Sequence, residues 1–526
     1  MNESKSIRDQ VNWSVLGVSG GFFVFFIIMS IMNDGLVGKI VNFGFDWSVR
    51  IFGAYWQVLL PATFIVGAII AMSASGKAVL GKTDKPEMSY FKWAALVITG
   101  MLGAGAVFWA AAEPLSYFMN VPPVFSGIKS GTAEAVGPAL AQSFMDWGFT
   151  ATAMYGAIAS LVLMYAHHNK GMPLKPRTLL YPVFGEKIKD SKLGSFVDAA
   201  CIISACAGAI APIGFLGLQT SQGLETILGW PNTFTMVIIV IGVLTAIVVL
   251  TIVTGIDKGI QWLSKLNVNL IIFVTAALLL LGPGEFIVNT FISSMGTYTS
   301  EFINIATFRG DSEWLSSWML FYFPWFIGFG PLISIFVARV SRGRTIRQVF
   351  VLVAVISPLF VNFWFTVVGG TGIFFEMQNP GVISSALETG GAPAAAIAVA
   401  QQMPFGLLMS IVIILLTIIC TITTTNSISY SASISVVGTG NPPVAIRLFW
   451  SLIMPASAVL LIWLGDGGIG ALQSLVVITA VPISIIVLPL LWKSPGIAKQ
   501  LAFEQGLVKN DKPVIGENNV EATEMN

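Results

Sequence analysis

Charge is scarce in this chain: only 10% of its 526 residues are Asp, Glu, Lys or Arg, whereas a soluble domain averages about 25%. Hydrophobic residues make up 55%, and the mean hydropathy is +0.82. Apolar runs of about 18 or more residues, each long enough to cross a bilayer, recur along the whole length. The sequence therefore predicts an all-α, multi-pass membrane protein with no room for a large soluble domain.

Cysteine and histidine are also rare. The three cysteines lie in or beside apolar runs, so they are expected to be small buried side chains rather than a disulfide framework. The two histidines are adjacent, and a metal site would need more ligands than the chain offers nearby. Zinc-protease and phosphate-loop motifs are missing, so neither enzymatic activity nor a cofactor is expected. Because the net charge is only +1, a nucleic-acid partner is not expected either.

Lys and Arg concentrate in alternate loops, which predicts a plasma (inner) membrane protein with both termini in the cytoplasm. Residues 1–12 are a cytoplasmic N-terminus, 13–492 the transmembrane domain and 493–526 a flexible cytoplasmic tail. Residues 284–312 are too polar to span, and an amphipathic helix on the outer face is expected there. The twelve predicted spans are 13–32, 51–73, 91–112, 137–166, 196–222, 233–254, 262–282, 313–338, 347–370, 404–432, 444–464 and 468–492.

Two of these spans carry residues that weaken or interrupt helices. The third contains glycines at 100, 103 and 105, and the eighth contains Pro324, Gly328, Gly330 and Pro331. Irregular backbone at membrane depth is tolerated where it lines a cavity. Interrupted helices in corresponding places of two halves indicate a secondary transporter with inverted repeats. One repeat would cover about 91–282 and the other about 313–492, with spans 1 and 2 outside both. The alternative is that the span 3 glycines only allow close helix packing.

Aromatic side chains follow one face of the eighth span, where Phe321, Trp325 and Phe329 recur at steps of four. Span 4 offers Trp147 and Tyr155 two turns apart. Aromatic faces that converge from two helices suit a quaternary ammonium group, through cation–π contacts of about 0.5–2 kcal/mol each. A backbone broken at Gly103, Ala104 and Gly105 could present N–H groups to the carboxylate of a zwitterion. Most membrane aromatics, however, face lipid or neighbouring helices.

These residues resemble the betaine/choline/carnitine transporter (BCCT) family, over about residues 10–492. Four stretches carry the resemblance: the span 3 glycines leading to Glu113 and Pro114; Asp146–Phe149 with Tyr155; Lys170–Leu174 with Tyr181 and Phe184; and span 8 with Ser341–Arg347 (SRGRTIR).

The resemblance implies a fold, an assembly and a site. It implies twelve helices with a five-plus-five inverted-repeat (LeuT-type) core and two extra N-terminal helices, a homotrimer in the lipid bilayer, and alternating access around an aromatic box. Carried over residue by residue, the box would comprise Trp147, Tyr155, Trp325, Phe326 and Phe329. Phenylalanines stand at 326 and 329 where tryptophans are common, so a sulfonium or less methylated amine is an alternative solute.

Hydroxyl groups cluster in span 10, where Thr423 and Thr424 fall at positions that provide sodium ligands in sodium-coupled members of the resembled family. Backbone oxygens near Thr99 and Leu102 would complete that Na⁺ site. Each sodium that enters across ~100 mV contributes about 2.3 kcal/mol of electrical drive, so sodium symport is expected. An ion-independent substrate/product exchanger is the alternative. Proton coupling would need an intramembrane carboxylate; Glu113 and Asp146 are the candidates, both expected near the outer ends of their spans.

Three rival functions fit the sequence less well. A channel would need a continuous polar path, but span 8 is mostly apolar. A transporter of amino acids or nucleobases would carry fewer aromatics and more hydrogen-bonding groups at the box. A membrane-bound sensor would be expected to carry a long basic tail, and this tail is slightly acidic. A transporter for a betaine-, choline- or carnitine-like solute therefore remains the expectation.

Overall fold

The computed structural model describes residues 10–83, 85–254, 257–438 and 442–509. Within these ranges the chain is helical, and its β pairing is limited to an isolated bridge between Val79 and Thr345. The prediction of an all-α protein is confirmed. The main helices are α1 (Trp13–Met32), α2 (Asp34–Met72), α3 (Tyr90–Met101), α4 (Ala104–Met119), α5 (Val136–Trp147), α6 (Phe149–Ala153), α7 (Ser160–Lys170), α8 (Lys192–Leu228), α9 (Phe234–Val253), α10 (Asp257–Leu281), α11 (Gly284–Ser300), α12 (Met319–Val340), α13 (Ser357–Gln378), α14 (Ala392–Gln402), α15 (Gly406–Val437), α16 (Val444–Leu464), α17 (Gly470–Val487) and α18 (Leu490–Glu504).

Ten helices in the described ranges are long and apolar enough to cross a membrane. They are α1, α2, α8, α9, α10 and α15–α17, together with α12 and α13, each counted with the short helical turns before it. This confirms a multi-pass helical membrane protein. The predicted third and fourth spans are not among the ten, and each is interrupted, between Met101 and Ala104 and at Gly148.

The third predicted span breaks where its glycines lie. Helix α3 ends at Met101 and α4 begins at Ala104, while Gly103 between them is extended at φ −74° and ψ 178°. Its carbonyl accepts hydrogen bonds from the amides of Ala106 and Val107 at 3.0 and 3.4 Å. The expected interruption is therefore present, and it leaves the first turn of α4 inside the protein core.

The fourth predicted span is interrupted as well, which its sequence did not indicate. Helix α5 ends at Trp147, and Gly148 adopts φ −88° and ψ −136°. A Cβ atom at Gly148 would lie 2.0 Å from the carbonyl oxygen of Phe144, so only glycine fits. After α6, residues Met154–Ala159 form a π-helical turn that leads into α7.

The eighth predicted span differs from expectation. Pro324 and Pro331 lie inside the continuous helix α12, and the break falls earlier, at Trp318 with φ −124° and ψ −88°. A proline in a membrane helix removes one backbone donor, which neighbouring helices and hydroxyl side chains can compensate. The carbonyls of Leu320 and Ile327, four residues before the two prolines, are the ones that lose an intrahelical donor. The prolines therefore shape α12 without interrupting it.

Helix α8 forms the centre of the bundle. Of its most apolar 18-residue window, 94% is buried inside the protein, against 33% for α9 and 17% for α10. Pro212 lies inside α8, and its buried face is rich in alanine and glycine, which lets neighbouring helices approach closely. The peripheral helices α9 and α10 leave most of their apolar surface on the outside, as expected for lipid-facing helices.

Residues 284–312 form helices, as predicted for an amphipathic segment. In α11 the buried residues are Ile287, Thr290, Ser294 and Tyr298, at steps of three and four that define one face. Tyr298 packs its ring against Phe144 of α5 at a centroid distance of 6.1 Å. The segment thus covers the fourth span; its position on the outer face stays a prediction.

The segment from residue 493 was predicted to be a flexible tail, and this is wrong for residues 493–509. Helix α18 runs to Glu504, and its apolar side chains Ile497 and Leu501 are buried. The side chain of Gln505 both accepts a hydrogen bond from the amide of Val79 and donates one to its carbonyl, at 2.8 and 2.7 Å. The composition of this segment is polar overall, although apolar side chains recur along it at helical spacing. Residues 510–526 of the predicted tail lie outside the described part of the chain.

Candidate functional site

The predicted aromatic residues of spans 4 and 8 come together in the core. The ring centroids of Trp147 and Trp325 lie 5.7 Å apart, with an interplanar angle of 74°. Phe326 lies 5.4 Å from Trp147, and Phe321 lies 5.1 Å from Trp325. Trp147 and Trp325 are only 5% and 4% exposed. The rings form one closed cluster between α5 and α12, hereafter the aromatic cluster.

Gly105, near the start of α4, lies against both indoles. A Cβ atom at this position would come within 2.7 Å of Cη2 of Trp325 and 3.1 Å of Cη2 of Trp147. The predicted break, the span 4 tryptophan and the span 8 tryptophan therefore meet at one point. Since Ala104 and Gly105 are the first two residues of α4, their amides have no acceptor within the helix and lie beside the aromatic cluster.

Phe329 occupies a different position from the other predicted aromatics. A Cβ atom built on Gly208 of α8 would lie 2.6 Å from Cε2 of Phe329, so this ring packs directly on the central helix. The indole N–H of Trp325 donates to the carbonyl of the same Gly208 at 3.1 Å. Phe329 therefore supports the cluster from the α8 side. The side chains of two other predicted residues, Tyr155 and Thr99, lie outside the described residues.

Several aromatic residues at the site were not in the predicted set. Phe365 of α13 lies 5.1 Å from Trp147, and Phe215 of α8 lies 6.2 Å from Trp325, both between ring centroids. Tyr322 lies 5.5 Å from Trp147, and Trp109 of α4 lies 5.6 Å from Tyr322. Tyr322 could have been found, because it belongs to the aromatic stripe of span 8. The sequence does not indicate that Phe365 belongs to the site, because its span has the composition of an ordinary apolar helix.

A buried polar network borders the aromatic cluster. The indole N–H of Trp147 donates to Oε2 of Glu113 at 2.8 Å, and the Tyr117 hydroxyl donates to Oδ2 of Asp146 at 2.8 Å. The amide of Gln142 lies 3.2–3.3 Å from both carboxyl oxygens of Asp146. Glu113 and Asp146 are fully buried. Both acids lie in the core beside Trp147, and their expected position near the outer ends of their spans stays a prediction.

The predicted sodium ligands lie on α15 and at the α3–α4 break. Thr423 and Thr424 are half-buried. The Thr423 hydroxyl donates to the carbonyls of Ile419 and Cys420 at 2.8 and 3.1 Å, which commits its proton and leaves an oxygen lone pair available to a cation. Helix α15 packs against α4, and Leu102 at the break is 8% exposed. The sodium site stays a prediction.

The family signature at residues 341–347 ties the end of α12 to the start of the interrupted third span. Arg342 forms an ion pair with Glu87 at 2.7 Å, and the Arg344 guanidinium lies 4.6 Å from the ring centroid of Trp93. The indole N–H of Trp93 donates to the Ser341 hydroxyl at 3.0 Å. This loop therefore positions α3 and α12 relative to each other, at a distance from the aromatic cluster.

Three features together define a membrane transporter of small solutes: helices long enough to span a membrane, an interrupted segment in the core, and a closed aromatic cluster beside that segment. Residues 14–502 match the family model of the betaine/carnitine/choline transporters, BCCT. The chain belongs to that family.

Named relatives fall in the same class. The chain is 44% identical over 494 residues to glycine betaine transporter 2 of Vibrio parahaemolyticus, covering 94% of this chain and 91% of that one. It is 32% identical to the glycine betaine transporter OpuD of Bacillus subtilis (82% and 84% covered) and 30% identical to the ectoine/hydroxyectoine transporter of Virgibacillus pantothenticus (91% and 95% covered). A solved Na⁺-coupled sialic acid symporter is 14% identical over 88% of each chain with a TM-score of 0.42, too low to compare folds.

Proposed function

We propose that this protein imports a quaternary-ammonium or related onium solute of the betaine, carnitine or choline type by alternating access, coupled to sodium. The observation that carries the proposal is the meeting of Trp147, Trp325 and Gly105 at one buried point. Two indoles from different helices provide π faces for a methylated ammonium group. The first turn of α4 beside them supplies backbone N–H groups for a carboxylate.

The closed state of the aromatic cluster supports transport by conformational change. With Phe321, Trp147 and Trp325 at 1–5% exposure, a solute could reach the rings only if the helices that carry them separate. Opening alternately to either side is the form of motion that moves a solute without a continuous pore. A channel would instead require a polar path, and the cluster fills that path with rings.

The proposed architecture is twelve spans in two inverted repeats, residues 91–282 and 313–492, after two additional helices. The count requires the interrupted third and fourth segments to cross the membrane as well. Support for two repeats comes from the fourth and ninth spans, which are five apart and each contain a π-helical turn, at Met154–Ala159 and Leu352–Ile356. These two turns pack against each other. π-helical turns are rare and concentrate at functional places.

Four further points belong to the same proposal. Sodium is the coupling ion, both termini lie in the cytoplasm, the protein lies in the plasma (inner) membrane, and it assembles as a homotrimer. Thr423 and Thr424 with backbone oxygen at Leu102 would hold the sodium. The named glycine betaine relatives support the solute class. A sulfonium, a less methylated amine or a cyclic amidine zwitterion is the second candidate, favoured by phenylalanine at 326 and 329 because phenylalanine is a weaker cation–π partner than tryptophan.

The deciding experiment measures uptake of labelled betaine, choline, carnitine, ectoine and a sulfonium analogue into proteoliposomes, with and without an inward sodium gradient. We expect betaine to accumulate above its outside concentration only when the gradient is present. Betaine-for-betaine exchange that proceeds equally without sodium would establish an exchanger instead. Accumulation of ectoine or the sulfonium compound in preference to betaine would establish the second candidate.

A further inference from the structure

Two carboxyl groups lie next to each other in the core, beside the aromatic cluster. Glu113 of α4 and Asp146 of α5 are each 0% exposed, and two hydrogen bonds cross between the same two helices at this place: Trp147 of α5 donates to Glu113, and Tyr117 of α4 donates to Asp146, each at 2.8 Å. We propose that Glu113 and Asp146 form a proton-binding site that holds one shared proton, and that solute affinity at the aromatic cluster depends on this proton. The second part rests on the proposed function.

A hydrogen bond between the two side chains would need a proton. Two ionised carboxylates are acceptors only, so neither could donate to the other. Like charges that share a buried site cannot both persist, and one group takes up a proton instead. Oε1 of Glu113 is buried and meets no donor in hydrogen-bond geometry, whereas Oε2 accepts from Trp147. Oε1 is therefore the free oxygen at which a proton between the two acids fits.

The surroundings contain no positive charge to stabilise two carboxylates. The titratable groups that face the pair are tyrosine hydroxyls: Tyr117 of α4, Tyr322 of α12 and Tyr298 of α11. Gln142 adds a neutral amide. In the described ranges, no Lys, Arg or His forms an ion pair with either acid, since the ion pairs there join other residues.

The described part of the chain has two other buried acids, both on helices that pack against α4, and both are satisfied. Glu376 of α13 accepts hydrogen bonds from the amides of Gly381, Ile383 and Ser384 and from the Ser384 hydroxyl. Asp198 of α8 pairs with Arg177 at 2.7 Å. Glu376 thus has three backbone amides and Asp198 has a cation, whereas Glu113 and Asp146 accept from neutral side chains, those of Trp147, Tyr117 and Gln142.

Trp147 joins the proton site to the aromatic cluster. Its N–H donates to Glu113, and its ring lies 5.7 Å from Trp325, so a change of charge at Glu113 acts on a ring of the cluster through a single hydrogen bond. Loss of the proton would place two repelling charges behind this ring. If solute binds only the protonated form, its affinity falls by about tenfold per pH unit above the titration of the pair.

Infrared difference spectroscopy of the purified full-length protein tests the shared proton without any solute. We expect wild type to show the carbonyl stretching band of a protonated carboxyl group, and expect Glu113→Gln and Asp146→Asn each to lose it. Glu376→Gln is the matched control: it also removes a buried carboxylate, but one with four donors, so the band should remain. A wild-type spectrum without a band attributable to Glu113 or Asp146 would overturn the proposal.

The coupling is tested by the dissociation constant of glycine betaine as a function of pH. In wild type we expect it to rise by about tenfold per pH unit at the alkaline end. In Glu113→Gln the amide replaces the shared proton with a permanent donor, so the dependence should shrink to under about twofold. An unchanged slope in Glu113→Gln would refute the coupling. Failure of betaine to bind at every pH would refute the proposed solute, while the infrared result would still decide on the proton.

Discussion

Trp147 and Trp325 meet nearly edge to face, and the indole N–H of each ring donates a hydrogen bond to a third residue rather than to the other ring. The N–H of Trp147 donates to Glu113, and the N–H of Trp325 donates to the carbonyl of Gly208. Two hydrogen bonds from different helices therefore fix both indole orientations before any solute arrives. Such pre-organisation reduces the ordering cost of binding.

Replacing Trp325 by Leu should reduce betaine uptake by about two- to thirtyfold, because a cation–π contact of about 0.5–2 kcal/mol is lost. The hydrogen bond to Gly208 is lost with it. Initial uptake rates in proteoliposomes, normalised to protein content, measure the effect. Trp262→Leu is the control, since Trp262 is 61% exposed on α10. Equal rates for both variants would show that the cluster does not bind the solute.

Gly105→Ala should reduce uptake even though it adds only a methyl group. The new Cβ would lie 2.7 Å from Trp325 and 3.1 Å from Trp147, so both rings would have to move. We expect at least a tenfold rise in the half-saturating solute concentration. Gly370→Ala is the matched control, because a Cβ there would be in ordinary contact with Thr366 at 3.5 Å. A normal half-saturation for Gly105→Ala would mean that the rings tolerate displacement.

Part of this site could be predicted because it depends on local pattern. Glycines at 103 and 105 favour a break in the third span, and Phe321 and Trp325 share a face at steps of four. Both predictions hold in the structure: α3 ends at Met101, α4 begins at Ala104, and these rings lie in the aromatic cluster. The periodicity of side chains within a single segment can be recognised from the sequence alone.

The rest depends on which helices become neighbours, which local pattern does not specify. Phe365 and Gly208 reach the cluster only because α13 and α8 pack there. Pro324 and Pro331 suggested a broken span, but tertiary packing keeps α12 continuous. Glu113 and Asp146 lie far apart on the chain, and their pairing is a tertiary contact. Like Tyr322, the buried stripe of α18 is a missed feature with a local signal, at Ile497, Ala498, Leu501 and Ala502.

Thr423→Ala and Thr424→Ala should each raise the sodium concentration needed for half-maximal uptake, by about three- to tenfold, with little change in the maximal rate. Each variant removes one hydroxyl oxygen from the proposed sodium site, and hard cations bind through oxygen. Uptake at fixed betaine over a range of sodium concentrations gives the value. Thr425→Ala is the control, since its buried hydroxyl donates to the carbonyl of Thr421 on the same helix. An identical sodium dependence in all variants would remove these threonines from the site.

Glu504 should make docking of α18 dependent on pH. Burial, the largest single effect, raises the pKa of Glu504, but hydrogen bonds from Tyr165, Gln500 and Asn169 and the charge of Lys170 outweigh it and leave the pKa below its usual value. A lowered pKa in the docked state stabilises docking above the ordinary pKa, and this contribution is lost as pH falls through the lowered value. Hydrogen exchange of residues 490–504, corrected for the intrinsic effect of pH, should therefore quicken on acidification. Glu504→Gln should show faster exchange already at neutral pH. The control is Glu186→Gln, a change at an exposed carboxylate, which should match wild type. Equal protection in all three proteins at neutral pH would mean that Glu504 does not hold the helix.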